Sequence, residues 1–156
     1  MHWTPLRGRL LVAAPLILAG CAILEPSREA EREQLRRAAS IWEDRGWRDY
    51  TYVMERLCFC GYGGVPVQVT VRDGGRVSAI AIETGEPLPM EIAQLYYTVP
   101  EMFEFLEEAL RRDPASFRAV YDEQTGHPLE AWIDYARNTA DEEQGFEVRE
   151  LRPIEE

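Results

Sequence analysis

The sequence predicts a single α+β domain in which two helices pack on an antiparallel sheet, in the order α-β-β-β-α-β-β-β. The chain has 156 residues, of which 46% are hydrophobic and 29% are charged. This composition indicates one globular core and excludes a disordered chain or a multi-pass membrane protein. Apolar residues recur at helical spacing in two segments and alternate with polar residues in the others, and turn residues separate these segments.

The first helix is predicted to begin after Ser27 and to end at Arg45-Gly46. Ser27 can accept a hydrogen bond from a free backbone N–H, and Glu29 and Glu31 favour the positive end of the helix dipole. The apolar face of this helix has the spacing i, i+3, i+4, i+7 and consists of Leu35, Ala38, Ala39 and Trp42.

Three strands are predicted to follow. Residues 50–60 alternate between two faces, and the glycine-rich run 61–64 ends this strand. Residues 65–72 and 76–83 form a hairpin around Asp73-Gly74-Gly75, which is a turn sequence between two alternating segments.

The second helix is predicted to start at Thr98, after a connecting segment over residues 85–97. Thr98 and Glu101 form a T-x-x-E capping box, and Asp113-Pro114 ends the helix. Its predicted buried stripe consists of Met102, Phe103, Leu106, Ala109 and Leu110.

The last three strands are predicted at residues 117–122, 127–135 and 146–153, with a hairpin turn at Gln124-Thr125-Gly126. The two halves of the chain therefore share an order of elements, although they share little sequence. An internal duplication is suggested by this order alone.

The N-terminus reads as a secretory signal. Arg7 and Arg9 precede an apolar run over residues 10–19, which is about half the length that a membrane-spanning helix needs. Leu18-Ala19-Gly20-Cys21 looks like the lipobox of bacterial lipoproteins, and this resemblance implies cleavage before Cys21 and lipidation of that residue. The alternative is a soluble secreted protein in which Cys21 is incidental.

These features divide the chain into a signal peptide at residues 1–20, a lipidated tether at 21–27 and one α+β domain at 28–156. Ala22 stands where inner-membrane lipoproteins of diderm bacteria have Asp, so the resemblance implies the periplasmic face of the outer membrane. All 17 basic residues are Arg, and loss of the two in the leader takes the net charge from −11 to −13. Such a charge disfavours nucleic-acid binding.

From Trp42 to about Leu151 the chain resembles the bacterial family known as domain of unknown function 6174, many of whose members are lipoproteins or secreted. The matching pieces are Asp49-Tyr50-Thr51-Tyr52, Cys58-Phe59-Cys60, Pro66-Val67, Val71-Arg72-Asp73-Gly74, Thr98 to Phe103, Val120-Tyr121-Asp122, Gly126-His127-Pro128 and Ala140-Asp141-Glu142-Glu143. The family usually has Tyr where this chain has His127, and it is often Pro-rich where this chain has glycines after Cys60. The resemblance implies a fold and a compartment and carries no reaction.

Cys58 and Cys60 are the cysteines that remain once Cys21 is lipidated, and an exported protein meets an oxidising compartment. Residues i and i+2 of a strand lie on one face at the upper limit of disulfide geometry, so a bridge needs a local bend. The neighbouring glycines can supply that bend. A structural disulfide is expected, and buried free thiols or a redox-active pair are the alternatives.

The other chemical candidates are weak. His127 is the sole imidazole of the mature chain, lies at a hairpin turn and is expected to be solvated. Zinc bound by Cys58, Cys60 and His127 is disfavoured because C-x-C lacks the usual ligand spacing. Asp134 with Asp141-Glu142-Glu143 lacks EF-hand spacing and is expected to be solvated. No metal, cofactor or catalytic residue is therefore predicted.

The sequence favours a non-enzymatic, lipid-anchored envelope module that binds an unidentified protein or ligand or has a structural role. Its predicted partners are the membrane, through Cys21, and this envelope component, with no nucleic acid. The alternative is a thiol-disulfide redox protein or an enzyme that uses Cys58 and Cys60. The aromatic residues of the chain can line a groove, although aromatic residues at strand or helix spacing usually belong to the core.

Overall fold

The computed structural model describes Met1 and residues 27–136 and 143–155, and these form the α+β fold that the sequence predicts. The helices are α1 (Arg28–Arg45), α2 (Met90–Ala93) and α3 (Val99–Arg111). The strands are β1 (Tyr50–Cys58), β2 (Val67–Arg72), β3 (Gly75–Ala81), β4 (Ser116–Tyr121), β5 (Pro128–Asp134) and β6 (Gln144–Pro153). No helix within these described residues is long and apolar enough to cross a membrane.

The six strands form one antiparallel sheet in the order β3-β2-β1-β6-β5-β4. Each half of the chain contributes a three-stranded meander, and the first strand of one meander pairs with the last strand of the other. The central β1–β6 pair runs from Tyr50↔Pro153 to Cys58↔Gln144. The fold therefore joins its two halves by a contact between distant parts of the chain.

Helices α1 and α3 pack against the same face of the sheet. Alternate residues of the strands point to this face, and those of β1 and β2 are almost wholly buried. They meet the predicted apolar stripe of α3, whose five residues are all buried. The core of the central strands consists of Tyr50, Tyr52, Met54, Val67, Val69, Val71, Phe146 and Val148.

The predicted helix ends are confirmed. The Ser27 side chain accepts a hydrogen bond from the Ala30 backbone N–H, and Gly46 ends α1 in the left-handed conformation at φ 65°. The capping box between Thr98 and Glu101 is present at the start of α3. These local signals work because each satisfies backbone groups that the helix itself leaves without partners.

Three predicted boundaries need correction. The connecting segment 85–97 contains the short helix α2, so the described residues contain three helices rather than two. Strand β1 ends at Cys58 rather than Cys60, because the chain turns back there and the Gly64 N–H bonds the Arg56 carbonyl at 2.9 Å. Strand β6 begins two residues early, at Gln144, since Cys58 and Ile133 both offer it a pairing partner.

Candidate functional site

A groove lies between α1 and α3 and is lined by residues of both helices. It has a volume of about 720 Å³. Its floor is apolar, with Leu35, Trp42 and Phe103 packed beneath it. On α1 the small side chains of Ala39 and Ser40 leave the space above this floor open.

The rims of the α1–α3 groove are charged. Glu104 and Glu107 line the α3 side and are exposed, whereas Arg36, Glu43 and Arg48 lie on the other side. A narrower extension of about 260 Å³ continues toward the α1 N-terminus and shares Arg36 and Glu107 with the main groove. The main groove therefore combines an apolar floor with an acidic rim on α3 and a rim of mixed charge on the other side.

Two tryptophans form the wide end of this groove. Trp42 is 5% exposed and meets the Trp47 ring edge-to-face at 5.9 Å and Tyr50 at 5.1 Å. Tyr50 in turn accepts a hydrogen bond from the Val99 N–H at 3.1 Å, and burial raises the Tyr50 pKa to about 12. The aromatic residues thus belong to the core and also supply one end of a groove, as the sequence allowed.

A second surface lies at the β1–β2 connection, which we call the β1–β2 tip and define as residues 58–64. The Cys58 and Cys60 sulfurs lie at disulfide-bonding distance, with their Cα atoms 5.3 Å apart. The Phe59 side chain between them is 90% exposed. Beside the tip, Leu57, Phe59 and Trp132 line a depression of about 330 Å³.

Glycine makes this depression possible. Leu57 and Trp132 both pair across the sheet with Gly145, which has no side chain to fill the space between them. A Cβ at Gly145 would lie 2.0 Å from the Ala131 carbonyl oxygen. The sequence alone does not predict this arrangement, because the register that brings the three residues together joins distant segments of the chain.

The expectation for His127 is wrong, because this residue is buried, with 6% of its surface exposed. Its Nδ1 is hydrogen-bonded to the Thr125 hydroxyl, which also bonds the Asp122 carboxylate at 2.8 Å. Desolvation by burial lowers the pKa of His127, against the opposing charge of Asp122. The local sequence predicts a solvated turn here. The imidazole is buried instead because the β4–β5 loop packs against α1.

The remaining candidates that the structure describes do not come together in a metal site. Within the described residues, no group of three His, Cys, Asp or Glu side chains could hold a metal ion. His127 lies on the β4–β5 loop, away from the cysteine pair at the end of β1. Of the predicted acidic loop, Asp141 and Glu142 lie outside the described residues, as does Cys21.

Comparison with known protein families identifies one whose model matches this chain. The family of unknown function DUF6174 matches residues 34–153, which is more than half of the chain. The chain belongs to this family. No curated protein and no solved structure matches it. The match covers both long helices and all six strands of this DUF6174 domain, apart from the first residues of α1.

Proposed function

We propose that this DUF6174 protein is a lipid-anchored, non-enzymatic component of the cell envelope that binds an amphipathic helix of a partner protein. The observation that carries the proposal is the α1–α3 groove, with its apolar floor and its charged rims. A helix that docks its apolar face in a groove between two helices uses a common mode of peptide recognition.

The charges of the rims define the partner further. Glu104 and Glu107 on one side favour a basic flank on the incoming helix. On the other rim Arg36 and Arg48 lie with Glu43, so that rim selects no charge. Trp42, Trp47 and Phe103 give the wide end of the groove the aromatic character that is typical of strong contact points. The partner helix therefore carries an apolar stripe and, on the side that faces α3, a basic flank.

Crosslinking in the native envelope tests this site. A photoreactive amino acid at Ser40, on the groove, should capture a partner peptide, whereas the same residue at Gln68 on β2 should not. Support requires that the captured peptide has an amphipathic helical pattern with a basic flank. An equal yield from both positions, or a captured peptide without this pattern, contradicts the proposal.

A matched pair of variants on α1 completes the test. Ala39→Arg fills the groove and should abolish capture from Ser40, whereas Gln34→Arg adds the same side chain outside the groove and should leave capture unchanged. If both variants capture the partner as well as the parent chain does, the groove is not the binding site.

Anchoring is tested at Cys21. The Cys21→Ser chain should lose its acyl groups and its partitioning into detergent, because the apolar run of the leader is too short to span a membrane. Mass spectrometry of the mature N-terminus and detergent phase separation measure the two properties. If the variant still fractionates with membranes, the anchor is elsewhere in the chain.

A further inference from the structure

The β1–β2 tip and the start of α1 lie at the same end of the sheet. Cys58 at the end of β1 pairs with Gln144, Gln144 with Ile133, and the neighbouring Asp134 with Ser116 at the start of β4. Just before β4, the Pro114 carbonyl accepts a hydrogen bond from Arg28, the first residue of α1. Continuous contacts therefore connect the tip to the place where the tether enters the domain.

The β1–β2 tip carries an exposed apolar surface. Residues 57–71 contain no charged side chain, although 29% of the whole chain is charged. Phe59 is 90% exposed and Tyr62 is 40% exposed at the tip. Ile82, whose N–H bonds the Pro66 carbonyl next to the tip, is 51% exposed.

The tip is held in shape by several contacts. A Cβ at Gly63 would lie 2.3 Å from the Cys58 carbonyl oxygen, so the loop closes tightly on the end of β1. The Gly64 N–H bonds the Arg56 carbonyl, and the Tyr96 hydroxyl donates to the Tyr62 carbonyl at 3.3 Å. With the cysteine pair on either side, Phe59 is presented to the outside by a loop that is already ordered.

The length of the tether limits how far this end can lie from the membrane. Cys21 precedes Ser27 by six residues, and six residues reach roughly 20 Å when fully extended. From β4 to β1 the sheet adds three strand spacings, or about 14 Å. A bilayer that holds Cys21 is thus within reach of the tip, whereas the β2–β3 turn is at the far end of the strands.

We propose that the β1–β2 tip is a second membrane contact, in which Phe59, with Tyr62 and Ile82 beside it, enters the interfacial region of the bilayer that holds the acylated Cys21. The inference rests on the lipid anchoring proposed above. Aromatic and aliphatic side chains suit this region. The tip itself has no charged residue, although Arg56 and Glu143 line the depression beside Phe59, so it binds by its apolar surface rather than by attraction to anionic headgroups.

This contact orients the domain. The strands then stand upright on the bilayer, with Cys58 and Arg28 near it and the β2–β3 turn away from it. Because α1 ends at the far side, the wide end of the α1–α3 groove, with Trp42 and Trp47, points away from the membrane. The tether and the tip together hold the proposed partner site open to the periplasm.

Photolabelling of the full chain, expressed with its leader, tests the contact. Benzoylphenylalanine replaces Phe59 in one chain, Ile82 in a second and Val77 in a third. Val77 is the matched control, because it is 61% exposed and apolar but lies beside the β2–β3 turn. After irradiation of the membranes, mass spectrometry of the tryptic peptides counts lipid adducts and protein adducts at each position.

We expect lipid adducts at position 59, fewer at position 82 and none above background at position 77. A protein adduct at position 59 in place of lipid overturns the proposal and makes the tip a protein-docking surface. Equal lipid labelling at 59 and 77, or none at 59, also overturns it. Mass spectrometry of the same samples also reports whether Cys21 is acylated. Acylated chains without lipid labelling at position 59 refute the membrane contact of the tip but not the anchoring. Chains without acyl groups refute the anchoring proposal.

Discussion

Two hairpin connections of this protein, the β1–β2 tip and the β4–β5 loop, have the opposite burial to the one that their compositions suggest. The β1–β2 tip is apolar and uncharged, yet Phe59 lies almost fully in solvent. The β4–β5 loop, residues 122–127, is polar in sequence, yet Gly126 and His127 are buried against α1. One loop has a helix to pack on and the other does not, so position in the fold and not hydrophobicity decides which of the two is buried.

The polar loop tolerates burial because its polar atoms are satisfied. Asp122 accepts hydrogen bonds from the Gln124 and Thr125 N–H groups and from the Thr125 hydroxyl. Burial alone would raise the Asp122 pKa, but these hydrogen bonds outweigh burial and lower it. On α1, Arg45 donates to the Gln124 carbonyl and closes the contact. The β1–β2 tip also has hydrogen-bonded backbone groups, but its Phe59 side chain stays 90% exposed, and exposed apolar surface is typical of interaction sites.

A truncation in the core should have the largest effect on the free energy of unfolding, and the effects of changes in the two loops can be compared with it. Leu106→Ala should lower the free energy of unfolding by about 2 to 5 kcal/mol, because Leu106 is fully buried between α3 and the sheet. Glu107→Ala on the exposed face of α3 should change it by less than about 0.5 kcal/mol. Denaturant unfolding of the two variants measures both values. Small, equal effects would mean that the Leu106 stripe does not carry the core.

Matched glycine substitutions compare the loops directly. Gly126→Ala should destabilise the fold by about 2 to 3 kcal/mol, because its Cβ would lie 2.2 Å from the Ala38 carbonyl oxygen and its φ is 79°. Gly61→Ala at the tip meets nothing within 4 Å and should be nearly neutral. Thermal unfolding gives both midpoints. A neutral Gly126→Ala would show that the β4–β5 loop can leave α1 without cost.

The cysteine pair should have a smaller effect on stability. Replacing both Cys58 and Cys60 by Ser should lower the free energy of unfolding by about 1 to 2 kcal/mol at most, because a three-residue loop removes little entropy from the unfolded chain. Mass spectrometry after alkylation should find the pair oxidised in protein isolated without reductant. Two freely alkylated thiols would contradict the disulfide, and exchange with glutathione near its own potential would favour the redox alternative.

The pH dependence of stability should report the buried imidazole. The folded pKa of His127 is lowered, so the unfolded chain binds more protons just below its own pKa of about 6.5. Stability from this group is therefore complete above that pH and falls as the pH drops toward the folded pKa. In the Cys21→Ser chain, the unfolding midpoint should decrease slightly from pH 7 to pH 5, and His127→Tyr should remove this decrease. If the unfolding midpoint of the His127→Tyr variant still decreases by the same amount, the decrease comes from carboxylates rather than from His127.

Local signals in the sequence predicted the helices well. Ser27, Gly46 and the Thr98–Glu101 box each act on backbone groups within a few residues, so their effect does not depend on the rest of the fold. The alternation of Tyr50, Tyr52 and Met54 likewise predicted the buried face of β1. The two hairpins were recognised for the same reason, because a turn and its flanking strands are adjacent in the chain.

The sequence by itself determined the class of the fold, the ends of its helices and the buried faces of α3 and β1, since each of these depends on neighbouring residues and on the period of one element. Only the tertiary structure decided the sheet order, the burial of His127 and the exposure of Phe59. It also placed Trp132 beside Leu57 and opened the groove between α1 and α3. These features depend on which distant segments pack together, and packing between distant segments leaves no signal in the spacing of a single one.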